Sequence, residues 1–316
     1  MSQALLRLLL QPLLAVAFLF SAMLISGCST IGQAGAGTNA IHTETVFSET
    51  LGSDFELYSL DIGPEPRTAL FFVTGSGCAS LSHYFQSYFE GLVGSWKVYA
   101  VQKAGINKHD MGLICNQKFN DHNYFENLKF RNEIALTEVL RRHGGVAGII
   151  GVSEGGQIAA ELMHTNKLAC SLVVIGSGGL PFRSIGTLLD TRRRNETFTK
   201  AFTQVATAPN STTQKILGFT YKYWASFIDR DPAPAYLSLD RPIFMIFGSQ
   251  DESVPVESAR WLAQEFNIKE KKNFRLLELP EANHVLKQNG KNRKPEVMSI
   301  VASFLQKNQI CTSSLL

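Results

Sequence analysis

The alternation of short apolar runs with stretches of helical periodicity constrains the fold of this 316-residue chain more than any other feature. The runs are residues 69–73, 98–101, 146–152, 172–175, 243–247 and 274–279. Each run is apolar on both faces, which is typical of parallel strands in a sheet that helices cover on both sides. Because strands that alternate with helices form doubly wound sheets, we expect an α/β fold with a mostly parallel central sheet flanked by helices.

Helical patterns fill the intervals between the runs. Three are marked by apolar residues at helical spacing: Phe125, Leu128, Ala135 and Val139; residues 158–163; and Val256, Ala259, Leu262 and Phe266, which follow Pro255. The polar, alternating stretch 41–61 predicts antiparallel strands at the edge of the sheet. Residues 176–240 contain no comparable run and are too long for an ordinary loop. We therefore expect one domain over residues 41–316, with a helical cap inserted at about 177–240.

The first 28 residues have the pattern of a leader. Arg7 is the only charged residue before Cys28, and residues 8–25 are mostly apolar. This resembles a secretory signal peptide, and residues 25–28, with the sequence ISGC, resemble the bacterial lipobox. The resemblance implies cleavage after residue 27 and lipidation of Cys28, with palmitate or a similar acyl chain, so the membrane is an expected partner. Ser29 implies sorting to the outer membrane, facing the periplasm. The alternative is an uncleaved transmembrane anchor.

Residues 28–40, rich in Ser, Gly and Ala, predict a flexible tether. An exported chain can form disulfides. If Cys28 carries lipid, an even set of four cysteines remains: Cys78, Cys115, Cys170 and Cys311. Four cysteines allow three pairings, and free buried thiols are the alternative.

Charge and motifs exclude several classes of partner and cofactor. A net charge of +3, from 30 basic and 27 acidic residues, gives no electrostatic basis for nucleic-acid binding. Gly75 and Gly77 follow a predicted strand as in a dinucleotide-binding loop, but Ser80 stands at the third glycine position. The chain also lacks the common metal-binding and P-loop motifs. We expect no cofactor, no metal site and no obligate protein partner.

A nucleophile motif follows the run 146–152. Gly151, Ser153 and Gly155 form the pattern G-x-S-x-G between a predicted strand and a predicted helix. A serine at such a turn needs a strained backbone to project its hydroxyl, so small residues must stand two positions away on each side. The N–H groups at the start of the helix then point towards a developing oxyanion.

In this arrangement the chain resembles the α/β-hydrolase family, in which a nucleophile, an acid and a histidine follow in that order. Asp251 stands at the family's acid position, in a G-x-x-D-x-x-V-P loop after the run 243–247. The adjacent Glu252 is the nearest alternative acid, but it is more typical of an exposed residue at the start of a helix. His284 follows the last run and is the only histidine after Asp251. The resemblance implies a catalytic triad of Ser153, Asp251 and His284.

An oxyanion hole requires two N–H donors. The backbone of Glu154, directly after the nucleophile, is the first candidate. The second would come from the turn after residues 69–73, where Ser76 and Gly77 are the candidates. Many relatives have His-Gly where this chain has Thr74-Gly75, so the resemblance does not identify the second donor.

The expected activity is hydrolysis of a carboxylic ester in a small-molecule acyl substrate, through an acyl-enzyme intermediate. The same triad would also suit a peptidase, a thioesterase or an acyltransferase, and a tethered binding protein without activity is a further alternative. Aromatic residues of the predicted cap either form an acyl pocket or pack the cap onto the sheet: Phe198, Phe202, Phe219, Tyr221, Tyr223 and Trp224. The basic run Arg192–Arg194 suits either an anionic group or a solvated helix face.

Overall fold

The computed structural model describes residues 40–311, in which the predicted apolar runs form a mixed sheet. The strands are β1 (Ile41–Ser48), β2 (Ser53–Ile62), β3 (Thr68–Val73), β4 (Trp96–Val101), β5 (Gly148–Val152), β6 (Leu172–Ile175), β7 (Lys215–Ile216), β8 (Phe219–Thr220), β9 (Ile243–Gly248), β10 (Phe274–Leu279), β11 (Lys287–Gln288) and β12 (Lys291–Asn292). The helices are α1 (Leu81–Tyr88), α2 (Gln117–His122), α3 (Phe125–His143), α4 (Glu154–Thr165), α5 (Phe182–Arg193), α6 (Thr197–Val205), α7 (Tyr221–Phe227), α8 (Ala233–Leu237), α9 (Glu257–Ile268) and α10 (Lys294–Lys307).

The central sheet has eight strands in the order β1-β2-β4-β3-β5-β6-β9-β10. The pairs β1–β2 and β2–β4 are antiparallel, and every other neighbouring pair is parallel. The predicted α/β fold with a mostly parallel sheet is therefore confirmed, as are the antiparallel edge strands. The carboxyl ends of β3, β5, β6, β9 and β10 meet at one edge of the sheet, which we call the C-terminal edge.

Two strand boundaries differ by two residues from the sequence-based expectation. β4 begins at Trp96 rather than residue 98, because the aliphatic stem of Lys97 is tolerated at a half-buried position where its ammonium lies 3.6 Å from the Asp61 carboxylate. β5 begins at Gly148 rather than residue 146, since Val146 makes only an isolated parallel bridge to Ala169. Both differences lie at the end of the sheet away from the predicted site.

The core lies on both faces of the sheet, as the alternation of side chains along β3 illustrates. Phe71 and Val73 pack on one face with helices α3, α4 and α9, whereas Leu70 and Phe72 pack on the other face with α1 and α10. Between β6 and β9 the chain forms helices α5 to α8 and the hairpin β7–β8. The cap boundaries at 177–240 remain a prediction, and we refer to these residues as the cap segment.

Two disulfides resolve the pairing that the sequence left open. Cys78 bonds to Cys115, and Cys170 bonds to Cys311. The predicted leader (1–27), Cys28 and the tether (28–40, except for Ala40) lie outside the described residues. Within residues 40–311, no helix combines the length and the apolar composition that a membrane crossing requires.

Candidate active site

Ser153 stands in the sharp turn that joins β5 to α4. Its φ of 52° lies in the left-handed region, as expected for a side chain that is projected from a strand-to-helix turn. Both glycines of the motif are required by close backbone packing. A Cβ on Gly155 would lie 2.3 Å from the Val73 carbonyl oxygen, and one on Gly151 would lie 2.5 Å from the Gly155 carbonyl oxygen. The G-x-S-x-G spacing therefore follows from the geometry of the turn.

His284 lies between Ser153 and Asp251, although the three residues come from separate strand ends. The Ser153 hydroxyl lies 3.1 Å from His284 Nε2, and the Nδ1 of the same ring lies 2.7 Å from Asp251 Oδ2. With Nδ1–H donating to the carboxylate, Nε2 carries the lone pair that faces the hydroxyl. This geometry suits transfer of the hydroxyl proton to the imidazole.

The Asp251 carboxylate is buried and is held by its own loop. Its Oδ1 accepts hydrogen bonds of 2.8 Å from the backbone N–H groups of Ser253 and Val254, which leaves Oδ2 for His284. Gly176, at the end of β6, packs against the imidazole: a Cβ there would lie 3.0 Å from His284 Cε1. The acid and the ring are therefore fixed by backbone contacts. Glu252, by contrast, is exposed at the mouth of the neighbouring pocket.

The two predicted sources of oxyanion donors are adjacent. A Cβ on Gly75 would lie 3.4 Å from Ser153 Cβ, so the turn after β3 passes directly beside the serine. Ser76 lines the same pocket as Ser153 and Glu154, whereas Gly77 is not among the residues that line it and has a φ of 112°. Ser76 is therefore better placed than Gly77 as the second candidate donor.

A buried ion pair lies behind this pair of candidate donors, and sequence reasoning missed it. The Lys103 ammonium lies 2.7 Å from Glu154 Oε1 and donates a 2.8 Å hydrogen bond to the Gly75 carbonyl. The side chains of Lys103 and Glu154 are only 8% and 2% exposed. Burial, and after it the Glu154 carboxylate, holds the pKa of Tyr223 well above its usual value. Lys103 follows β4 outside any motif, so no local pattern could have identified it.

A pocket opens directly beside Ser153. It contains about 780 Å³ of space, including its open mouth. Apolar side chains from the cap segment line it: Phe182, Ile185, Phe198, Leu217, Phe219 and Trp224. Tyr223 also lines it, whereas Tyr221 and Phe202 are buried in the core. The aromatic residues of the cap segment thus form a pocket wall and also pack the cap segment.

The basic run is mostly engaged by protein groups. Arg192 pairs with Glu257. Arg193 lines the pocket, but its guanidinium donates to the Glu252 carbonyl at 2.9 Å and lies 5.7 Å from the centre of the Phe198 ring.

Within the part of the chain that the structure describes, no group of three or more His, Cys, Asp or Glu side chains is arranged to hold a metal ion.

Known structures of similar fold include esterases and peptidases. An esterase of Pyrococcus furiosus aligns with a TM-score of 0.58 and 17% identity, over 88% of this chain and 97% of that protein. The esterase domain of a Rhodothermus marinus protein gives 0.54 and 15%, over 86% of this chain and all of that domain. An acylaminoacyl peptidase of Pyrococcus horikoshii gives 0.57 and 12%, over 86% of this chain but only 42% of that protein.

These structural alignments establish the α/β-hydrolase fold that the triad order implied. Comparison with curated protein sequences found no significant match. Residues 143–309, more than half of the chain, match the sequence model of the prolyl oligopeptidase family. The matched region includes Ser153, Asp251 and His284, and it ends two residues after the last helix, α10. This protein is a serine hydrolase of α/β fold and belongs to the prolyl oligopeptidase family.

Proposed function

We propose that this protein hydrolyses carboxylic esters with an apolar acyl group, with Ser153 as the nucleophile, His284 as the base and Asp251 as the acid. The observation that carries the proposal is the position of His284, within hydrogen-bonding distance of both Ser153 and Asp251 at the opening of an apolar pocket. The family and the fold support hydrolysis, whereas the chemistry of the pocket supports the choice of ester and acyl group.

Acylation follows from this geometry. His284 Nε2 accepts the Ser153 proton as Oγ attacks the ester carbonyl, and the carbonyl π electrons move onto oxygen. The backbone N–H groups of Glu154 and Ser76 stabilise the oxyanion, and Asp251 stabilises the imidazolium. When the oxyanion collapses, the bond to the alcohol oxygen breaks and His284 returns the proton to the leaving alkoxide. The products of this half-reaction are a free alcohol and acyl-Ser153.

Deacylation repeats these steps with water. His284 Nε2 removes a proton from a water molecule as its oxygen attacks the acyl carbonyl, and the same two N–H groups hold the second oxyanion. Collapse of this intermediate breaks the bond to Ser153 Oγ, which takes the proton back from His284. The carboxylic acid leaves and the enzyme is restored.

The pocket wall supports an apolar acyl group rather than a charged one. Its side chains are mainly aromatic and aliphatic, and the buried Glu154 carboxylate, which also lines it, is already paired with Lys103. An acyl chain in this pocket would be removed from water, which contributes about 0.8 kcal/mol for each buried methylene. Esters with chains of several carbons should therefore be better substrates than acetates.

The proposal is tested with Ser153→Ala and with Ser303→Ala, a matched control on an exposed face of α10. Ser153→Ala should abolish turnover of p-nitrophenyl esters from acetate to octanoate, and also covalent labelling by a fluorophosphonate. Ser303→Ala should retain both. Labelling that persists in Ser153→Ala would assign the nucleophile elsewhere. A protein that is folded but neither labels nor turns over any ester would favour the non-catalytic binding alternative.

Peptide hydrolysis is the second candidate, and membership of the prolyl oligopeptidase family favours it. The same substrate panel, extended with aminoacyl p-nitroanilides and acyl thioesters, distinguishes these activities. A kcat/KM for an anilide above that for the ester of the same acyl group would overturn the preference for esters. Transfer of the acyl group to an added alcohol in preference to water would indicate an acyltransferase.

We also propose that Cys28 carries lipid and attaches the enzyme to a bacterial membrane, the outer membrane facing the periplasm. The lipobox-like sequence of residues 25–28 supports this proposal, and the two disulfides are typical of an exported protein. Metabolic labelling with palmitate should mark the wild-type chain and not Cys28→Ala. Fractionation should then place the wild type in the outer membrane, and equal labelling of both chains would contradict the proposal.

A further inference from the structure

Residues 107–116, which we call the apolar loop, display large apolar side chains to solvent beside the active site. Leu113 is 77% exposed, Ile114 is 91% exposed and Met111 is 43% exposed. Isolated exposed apolar residues are ordinary, but three within four positions concentrate exposed apolar surface in one short segment. The apolar loop follows β4, and its residues Met111 and Cys115 connect to the turn after β3, so it lies at the C-terminal edge of the sheet.

Several contacts hold the apolar loop in place. Met111 forms an antiparallel bridge with Ala79, and the Ser80 N–H donates a 2.8 Å hydrogen bond to the Asp110 carbonyl. The disulfide between Cys78 and Cys115 joins its far end to the same segment. The exposed apolar side chains therefore belong to a loop that a β-bridge, a backbone hydrogen bond and a disulfide fix to the segment after β3.

The apolar loop packs through Cys115 on a small buried cluster formed by neighbouring residues. Ile106 and Phe119 are buried with Cys78, and Cys115 packs against them. Leu113 and Ile114 are outside this cluster although they precede Cys115 directly. Leu113 and Ile114 thus remain exposed although a buried apolar cluster lies close to them in the sequence.

Basic residues flank the exposed tip. Lys108 and His109 precede it in the sequence, Lys118 follows it, and all three are exposed. The nearby Asp110 carboxylate accepts a 2.7 Å hydrogen bond from the Asn107 N–H, so part of its charge is compensated locally. Exposed apolar side chains with exposed lysines close by in the sequence match a lipid surface, whose acyl region accepts the apolar tips while anionic headgroups attract the ammonium groups.

We infer that the apolar loop docks on an anionic lipid bilayer and holds the mouth of the active site at the membrane surface. The turn that carries Ser76 and Cys78 is joined to the apolar loop by the disulfide, so docking would place the Ser153 pocket close to the lipid. Substrates delivered from a bilayer would then reach Ser153 without crossing bulk water.

The length of the tether is compatible with this orientation, an argument that rests on the lipid attachment proposed above. Ile41 pairs with Leu60, and Leu60 pairs with Val98, which is three residues before the end of β4. The start of β1 is therefore about 10 Å from the C-terminal edge. The 12 residues from Ser29 to Ala40 span about 40 Å when extended. The exposure and charge of the apolar loop do not depend on the lipid.

The test uses a chain that begins at Ser29, which retains every strand and both main core clusters that the structure describes in residues 40–311. It is mixed with phosphatidylcholine vesicles with and without 30% phosphatidylglycerol, and the bound fraction is measured by sedimentation. The wild type should bind the anionic vesicles. Leu113→Asp with Ile114→Asp should weaken this binding at least tenfold, and Lys108→Glu with Lys118→Glu should remove the preference for anionic lipid.

Ile268→Asp is the matched control. Ile268 is 73% exposed at the end of α9, near the start of β10 and thus at the opposite edge of the sheet. This variant should bind within twofold of the wild type. Thermal unfolding and turnover of a water-soluble ester, both near wild-type values in Leu113→Asp with Ile114→Asp, would show that the fold is intact.

Three results would overturn the inference. The first is that the wild type does not bind vesicles, and the second is that Ile268→Asp loses binding as much as Leu113→Asp with Ile114→Asp does. The third is that Leu113→Asp with Ile114→Asp changes the oligomeric state but retains vesicle binding. This third result would assign the exposed apolar residues to contact between copies of the chain. Vesicle binding with no ester turnover would instead leave this inference standing and refute the proposed function.

Discussion

The Lys103 ammonium lies 2.7 Å from the carboxylate of Glu154, the residue whose backbone N–H is the first candidate oxyanion donor. The same ammonium donates to the carbonyl of Gly75, the residue before the second candidate donor, Ser76. One buried cation therefore joins the turn after β3 to the start of α4. Since each donor must be positioned to within a fraction of an ångström, this ion pair is in a position to determine how well the oxyanion is held.

Lys103→Met should lower both stability and turnover. Removal of one partner leaves the Glu154 carboxylate buried and uncompensated, which should cost about 3 kcal/mol of unfolding free energy. Displacement of the donors should lower kcat by about 10- to 100-fold, with a smaller change in KM. Urea unfolding and steady-state kinetics on a p-nitrophenyl ester measure the two effects.

Two further variants separate charge from packing. Lys103→Met combined with Glu154→Gln removes both charges and should recover most of the lost stability, because the neutral pair needs no compensation. Lys129→Met is the control, since Lys129 pairs with Glu161 at 3.0 Å in a more exposed position and should cost at most about 1 kcal/mol. A Lys103→Met enzyme with wild-type kcat would show that the ion pair does not position the donors.

The meeting of Ser153, Asp251 and His284 was predictable because each stands just after a strand, and parallel strands end at one edge of the sheet. Lys103 was not predictable, since its partner lies 51 residues away and neither residue belongs to a pattern that specifies the other. The pocket wall shows a related limit: Phe198 and Phe202 are one helical turn apart on α6, yet only Phe198 lines the pocket. Which face of a cap helix meets the site depends on tertiary packing rather than on composition.

Phe198→Ala should change chain-length preference more than overall activity. The ring forms part of the pocket wall, so its removal should cost an octanoyl ester about 1.4 kcal/mol of transition-state binding, a tenfold loss in kcat/KM. An acetyl ester should change by less than about twofold, because its acyl group is too short to touch this wall. The measurement is kcat/KM over a series of acyl lengths.

The control for this series is Phe130→Ala. Phe130 is 40% exposed on α3 and is not among the residues that line the pocket, so its truncation should leave the chain-length profile unchanged. Equal losses for the acetyl and octanoyl esters in Phe198→Ala would mean that Phe198 supports the fold of the cap segment rather than the acyl chain.

The two disulfides should affect stability alike and activity differently. They close loops with sequence separations of 37 and 141 residues, so replacing either cysteine pair by serine should lower the unfolding free energy by about 3 to 5 kcal/mol. Cys78 lies two residues after Ser76, whereas Cys311 lies beyond α10 and pairs with Cys170, two residues before β6 begins. Only the variant that lacks the Cys78–Cys115 bond should lose kcat.

Urea unfolding and ester kinetics on the two double-serine variants test this contrast, with each variant serving as the control for the other. If both lost kcat equally at a temperature where both are folded, the Cys78–Cys115 bond would have no specific role at the oxyanion turn. If neither lost stability, the loop-closure argument would be wrong for this protein.

Glu138 should contribute a stabilisation that acid removes. Hydrogen bonds first from Arg141 and then from Arg142 lower the pKa of its carboxyl to about 2 in the folded protein, from 4.5. Because the unfolded chain binds this proton more tightly, the stabilisation is complete above about pH 5 and declines as the pH falls towards 2. The arginines are partly exposed, so solvent screening should limit the effect to about 1 kcal/mol. Glu138→Gln should therefore be less stable than wild type in urea at pH 7, and the difference in unfolding free energy should shrink towards pH 3 and in 1 M NaCl. Glu133→Gln, on the same helix, is the control. A difference that does not depend on pH, or an equal loss of stability in Glu133→Gln, would contradict the ion-pair origin.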